Sequence, residues 1–257
     1  MRQVEILRDI PYGSGAISRQ VLDLYLPNER ENAPILVFFH GGGFIYPEET
    51  KAVYAKFAQQ LAEAGVACVC PEYRIYPDCR FPDFIEDAAL ATAWTKQNMA
   101  QYGIRSRRLF LGGHSAGGHQ AMLLLFDERY LKAVDMEPSE LAGGVFLSGQ
   151  PTTHFSVLQE KGLDPRLTII DEAAPMYHVR PLEVPLLITV AEDEIENRIL
   201  QTELLLASLK TMEYRGEITF KEYFGYDHDN YILPDGKQPA FPCAAQEEIL
   251  RFIERHA

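Results

Sequence analysis

Cysteine is scarce in this chain of 257 residues, which has only Cys68, Cys70, Cys79 and Cys243. No pair has the spacing of a metal-binding motif. Cys68 and Cys70 fall in the apolar run "GVACVCP", where a thiol acts as a small apolar side chain. Reduced thiols and no metal centre are therefore expected. Positive charge is also short. Lys and Arg total 24 against 37 Asp and Glu, and the net charge of −13 repels a nucleic-acid backbone, which excludes DNA and RNA as partners. Every apolar run is shorter than the roughly 18 residues of a membrane span. The opening "MRQVEILRDIPYG" lacks the apolar segment of a signal peptide. A soluble, cytoplasmic protein with no membrane partner is the expectation. Repeats, low-complexity tracts and linker-like stretches are absent, which points to a single domain over residues 1–257. The G-x-x-x-x-G-K-[ST] phosphate cradle is missing as well.

The composition is that of a globular protein, with 47% hydrophobic and 24% charged residues. Short, almost wholly apolar runs alternate with longer amphipathic ones. "APILVFFH" (33–40), "GVACVCP" (65–71), "RLFLGGH" (108–114), "GGVFLSG" (143–149) and "VPLLITV" (184–190) have the pattern of strands buried on both faces. Between and after them lie helical patterns: "ETKAVYAKFAQQLAEAG" and "FPDFIEDAALATAWTKQNMAQYG", both closing on glycine, then "ILQTELLLASLKTM" and "QPAFPCAAQEEILRFIERH". Strand and helix in alternation predict an α/β fold, a mostly parallel central sheet with helices on both faces. The first two segments, "VEILRDIPYG" and "RQVLDLYLP", alternate apolar and polar residues around Gly-Ser-Gly and suit an antiparallel N-terminal edge.

Within "RLFLGGHSAGGHQAMLLLF", four glycines surround Ser115 between a strand and a helix expected to begin near Gly118. Glycine is costly inside either element, so the cluster marks a backbone that turns sharply or approaches something closely. Gly113-His114-Ser115-Ala116-Gly117 is the G-x-S-x-G nucleophile elbow in the strand-to-helix setting that gives it meaning. It lifts the Ser115 hydroxyl to a helix N-terminus, where developing negative charge is favoured. A second cluster, His40-Gly41-Gly42-Gly43-Phe44, ends the first central strand. Its amides, together with that of Ala116, suit an oxyanion hole for acyl transfer.

The serine needs a base. Of the seven histidines, His40, His114 and His119 belong to the glycine clusters and His256 to the terminal tail. His154 and His178 fall in a stretch where a loop or surface role is the default. His228, in "KEYFGYDHDNYI", follows a last strand "EITFKEYF" and precedes the final helix, the place for a base in the order serine, acid, histidine. The acid should follow "VPLLITV", where "AEDEIEN" offers several carboxylates.

On these residues the chain resembles an α/β-hydrolase. It is similar to the short esterase branch that includes hormone-sensitive-lipase-type esterases, feruloyl and acetyl carbohydrate esterases and kynurenine formamidases. The likeness runs through "VLDLYLP", "HGGGF", "EYRIYPDCRFPDFIEDAALATAWT", "GGHSAGGHQA" and the final "DH". The resemblance implies a Ser115–His228–acid triad and an oxyanion hole of Gly42, Gly43 and Ala116. It gives "EYRIYP" a structural role beneath the site. An ungapped overlay of "AEDE" on the family's acid loop, whose acid stands fourth, puts Glu194 in that place; a one-residue deletion would put Asp193 there instead. Glu192 and Glu196 are expected to be solvated.

The function implied is a serine carboxylesterase acting through an acyl-enzyme on small-molecule esters, with no cofactor or metal. No N-terminal helical cap precedes the first strands, which favours short acyl chains over lipids. Residues 150–183 are the only sizeable insertion between core strands and suit a small lid that sets specificity. An arylformamidase of the kynurenine formamidase kind would use the same triad on an amide. A non-catalytic hydrolase-fold binding protein would usually lack a triad member. A homodimer is compatible with the sequence.

Overall fold

The structure, a computed structural model, describes residues 3–15, 17–234 and 242–257. In chain order its elements are β1 (Val4–Pro11), β2 (Val21–Pro27), β3 (Ile35–Phe39), α1 (Ala55–Glu63), β4 (Ala67–Pro71), α2 (Asp83–Asn98), β5 (Leu109–His114) and α3 (Ala116–Phe126). Then follow α4 (Glu128–Lys132), β6 (Gly143–Leu147), α5 (Phe155–Glu160), β7 (Leu186–Asp193), α6 (Arg198–Thr211), β8 (Ile218–Asp227) and α7 (Ala244–His256). The eight strands form one sheet in the order β1-β2-β4-β3-β5-β6-β7-β8. Strands β1, β2 and β4 pair antiparallel, and every pairing from β4 through β3 to β8 is parallel.

Helices on both faces explain the apolar strands. On one face Phe57 and Leu61 of α1 and Ile249, Phe252 and Ile253 of α7 pack with Leu36, Phe38 and Phe110 of the sheet. On the other, Phe84 and Ile85 of α2, Met122 to Phe126 of α3, and Leu205 and Leu209 of α6 pack with Val37, Leu111, Phe146 and Ile188. Each central strand therefore needs apolar side chains at successive positions, and β3, β4, β5 and β6 are buried throughout. The outer strand β1 faces solvent in part, and its alternation is interrupted where the pairing with β2 shifts register between Leu7 and Ile10. Gly103 (φ 85°) and Gly65 (φ 103°) close the helical segments in the left-handed region, as their place in the sequence suggests.

Two boundaries differ from the sequence-based expectation. Helix α3 starts at Ala116, directly after the elbow serine, and not near Gly118. Helix α7 starts at Ala244, and residues 238–241 of the predicted last helix lie outside the described residues. No described helix is long and apolar enough to cross a membrane.

The parallel strands all point the same way, so the segments after β3, β5, β6, β7 and β8 gather at one edge of the sheet. These are the glycine loop, Ser115, Ser148, Glu194 and His228. Sites in open α/β sheets form at this edge, just beyond the carboxyl ends of the strands.

Candidate active site

Ser115 sits between β5 and α3 with φ 54° and ψ −115°, a conformation that costs on the order of 1–3 kcal/mol for a residue other than glycine. Its neighbours make the turn sterically feasible. A Cβ on Gly113 would meet the backbone of Gly117, and one on Gly117 would meet the carbonyl of Phe39. The amide of Ser115 donates to the carbonyl of Leu147 (2.9 Å), which ties the elbow to β6.

His228 follows β8 directly. Its Nε2 lies 2.9 Å from Ser115 Oγ and its Nδ1 2.6 Å from Glu194 Oε2. Glu194 is fixed from several sides: Ser148 Oγ donates to Oε1, as does the amide of Ala191 (3.2 Å), and the amide of Ile195 donates to Oε2 (3.1 Å). Burial disfavours the Glu194 carboxylate. The His228 and Ser148 hydrogen bonds and the nearby positive charge of Arg198 outweigh that cost and hold its pKa down at about 2. The other carboxylates of the loop go elsewhere. Asp193 ends β7 exposed and in register with Asp227, Glu192 accepts from the amide of Gly225 (2.8 Å), and Glu196 is exposed at the cleft rim. The carboxylate that meets the imidazole is that of Glu194.

A second chain of hydrogen bonds joins the base to the glycine loop. The amide of Gly41 donates to Tyr54 Oη (3.2 Å), Tyr54 Oη lies 2.6 Å from His114 Nδ1, and His114 Nε2 lies 2.9 Å from the His228 carbonyl. One assignment satisfies every member: His114 carries its proton on Nε2, donates to His228 and accepts from Tyr54. Burial first, then the charge of His228, pushes the His114 pKa down to about 3, so the ring is neutral. The glycine loop itself needs glycine. Gly42 and Gly43 have φ of 105° and 59°, and a Cβ on Gly43 would come 2.7 Å from Phe155 Cζ. The amides of Gly42, Gly43 and Ala116 donate to no group among the described residues. Beneath the loop, Tyr73 of the "EYRIYP" stretch donates to the carbonyl of His40 (2.7 Å) and stacks on its ring.

Ser115 and His228 open into a cleft of about 500 Å³. Phe155, Gln159 and residues 165–167 from the 150–183 stretch form part of its wall. Glu49 and Asp229 lie on the glycine-loop side, where burial raises both pKa values, with the charge of Asp229 adding to that of Glu49 and the charges of Asp227 and Glu194 adding to that of Asp229. His114, His228 and Asp229 each bring one ligand atom within 4.8 Å of the others, yet both ring nitrogens of each histidine are already hydrogen-bonded. That donor set does not suit an ion.

Sequence reasoning missed Tyr54, Ser148 and Arg198, and it set His114 aside as a local flank. For Ser148 a signal existed, since it follows β6 at the sheet edge where the site gathers. His154 departs from its expected loop or surface role: it is 1% exposed, caps α5 by accepting from the Ser156 amide and packs on Phe44. The surrounding apolar residues of the insertion, such as Val157 and Leu158, are buried with it.

A family model described as BD-FAE matches residues 22–139. The probable isoprenylcysteine alpha-carbonyl methylesterase ICMEL1 of Oryza sativa subsp. japonica is 27% identical over 246 residues, which are 95% of this chain and 53% of that protein. The chain thus spans about half the length of the curated relatives it matches most fully. Among solved structures, a truncated carbohydrate esterase from gut microbiota superposes with a TM-score of 0.81 at 17% identity, covering 98% of this chain and 96% of that one. Esterase B from Lactobacillus rhamnosis superposes with a TM-score of 0.78 at 20% identity, covering 98% and 85%.

Proposed function

We propose that the chain is a serine carboxylesterase of the α/β-hydrolase superfamily in which Ser115, His228 and Glu194 form the triad, a reading supported by the family model over residues 22–139, the esterase relatives and the shared fold. The observation that carries this reading is the single imidazole bridging a strained serine and a buried carboxylate. The Ser115 hydroxyl gives its proton to His228 Nε2 as Oγ attacks the ester carbonyl. Glu194 accepts the Nδ1 proton's hydrogen bond and stabilises the imidazolium that forms. The carbonyl oxygen takes up negative charge against the amides of Gly42, Gly43 and Ala116, each worth a few kcal/mol in a dry site. His228 then hands its proton to the leaving alcohol. Water enters by the same steps in reverse and releases the acid. The esterase names of the relatives and structural neighbours support the same reaction type.

Residues 1–257 act here as one catalytic domain, with residues 150–183 as a lid that sets specificity. We infer a preference for acyl chains of about two to four carbons, as the sequence leads one to expect, and the cleft of about 500 Å³ has the size of an ordinary small-ligand site. The test is turnover of p-nitrophenyl acetate, butyrate and dodecanoate by the wild-type protein and by Ser115→Ala. We expect the butyrate ester to be hydrolysed faster than the dodecanoate. Ser115→Ala should lose at least about a thousandfold in kcat. A burst of p-nitrophenol retained in Ser115→Ala would remove the serine from the mechanism.

A further inference from the structure

Arg198 opens α6 and is 2% exposed, yet it lines the cleft beside Gln150 and Gln201. A guanidinium taken out of water needs a counter-charge and partners for its five N–H groups, or it destabilises the fold. Arg198 has few. Nη1 donates to the carbonyl of Ser148, Nη2 donates to Gln150 Oε1 at 3.4 Å, and Nε is buried with no partner among the described residues. No described carboxylate lies within ion-pairing distance. Glu194 acts on it only at longer range, its own oxygens being taken by His228, Ser148 and the backbone.

The surroundings say which kind of group is missing. Gln150 spends its amide on Thr152 and Thr153 and turns its oxygen to Arg198, so it orients the cation without neutralising it. The other cleft arginine, Arg166, is already paired with Asp164. One unmatched positive charge calls for one negative charge, and a planar fork of donors matches the two oxygens of a carboxylate. On the glycine-loop side Glu49 and Asp229 repel an anion, as does Glu196 at the rim, so a carboxylate is directed to Arg198.

We propose that Arg198 recognises a carboxylate carried by the substrate, and that the favoured substrates are esters bearing a second, free carboxylate, such as half-esters of short dicarboxylic acids. The inference rests on the serine esterase reading, and neutral esters test that reading separately.

The experiment compares matched pairs that differ in one carboxylate: p-nitrophenyl hexanoate against the mono-p-nitrophenyl ester of adipic acid, and phenyl butyrate against 4-carboxyphenyl butyrate. The first pair carries the charge on the acyl part and the second on the alcohol. We expect kcat/KM to favour the charged member of one pair by at least tenfold in the wild type. Arg198→Met should erase that ratio, and Arg198→Lys should restore part of it. Adipate should inhibit the wild type competitively and better than adipamide, a measurement that needs no variant. Wild-type ratios near one in both pairs would overturn the proposal while leaving the esterase reading intact. So would an Arg198→Met that slows both members equally, since that marks a residue that only positions Ser148. Failure of every ester would sink the esterase reading itself.

Discussion

At the residue scale, the acid is the position where two sequence arguments diverged and geometry offers a resolution. An ungapped overlay favours Glu194 and residue-type frequency favours Asp193. In the fold, β7 ends at Asp193 with that side chain outside, and the next residue turns in toward the imidazole. The longer glutamate reaches His228 while its second oxygen engages Ser148 and the amide of Ala191. Glu194→Gln should therefore lower kcat by at least about a hundredfold, whereas Asp193→Asn should stay within about threefold of wild type. Equal losses in the two variants would return the assignment to the open alternatives. The pH profile adds a sign. With its pKa held at about 2, Glu194 stays ionised throughout the range in which an imidazole titrates. Between about pH 5 and pH 8 the profile of kcat/KM should therefore carry no protonation step belonging to this carboxylate, and a dependence on the square of the proton concentration in that range would contradict it.

At the scale of elements, the glycine loop after β3 and the base after β8 are connected by one hydrogen-bonded chain through Tyr54 and His114. Tyr54→Phe keeps the ring but removes the acceptor for Gly41 and the donor to His114. We expect kcat to drop about tenfold with little change in KM, because the loop amides and the His228 backbone lose a shared anchor while the cleft keeps its shape. A change confined to KM would show that Tyr54 contributes to substrate binding alone. The strands, the elbow and the glycine loop were legible because each is specified locally: an apolar run for a strand buried on both faces, and glycine where a Cβ would strike backbone. The partners of Ser148 and Arg198 were not. Ser148 meets Glu194 across 46 residues and Arg198 meets Ser148 across 50, so no local pattern encodes either contact. His154 misled for the same reason. Its stretch is polar enough to look like surface, and only the fold shows Val157 and Leu158 carrying it into the core.

At the scale of the whole molecule, buried histidines make stability depend on pH in a direction the net charge does not foretell. His114, His119 and His154 lie within the core, and burial pushes the first two down to about 3 and the third well below its ordinary value. In the unfolded chain each would titrate near 6.5. Below that pH the unfolded state binds protons that the folded state refuses, so the stability tied to these groups is fully present above 6.5 and lost as pH falls toward 3. Each group contributes a slope of about 1.4 kcal/mol per pH unit, and the three together up to about 4. A stability of ordinary size, about 5–15 kcal/mol, would be largely consumed over two to three units. Glu194, depressed to about 2 from 4.5, adds loss of the same sign below pH 4.5. Glu49, Asp229 and Glu160, whose pKa values are raised, oppose it only across the carboxylate range. The urea midpoint should therefore fall steeply between pH 7 and pH 5, before most carboxylates begin to titrate. His154→Asn supplies the control, since asparagine retains an acceptor for the Ser156 amide at the start of α5 but cannot be protonated. It should reduce the pH slope by about a third over that interval. A midpoint that does not move between pH 7 and pH 5 would mean that these rings are protonated in the folded protein after all.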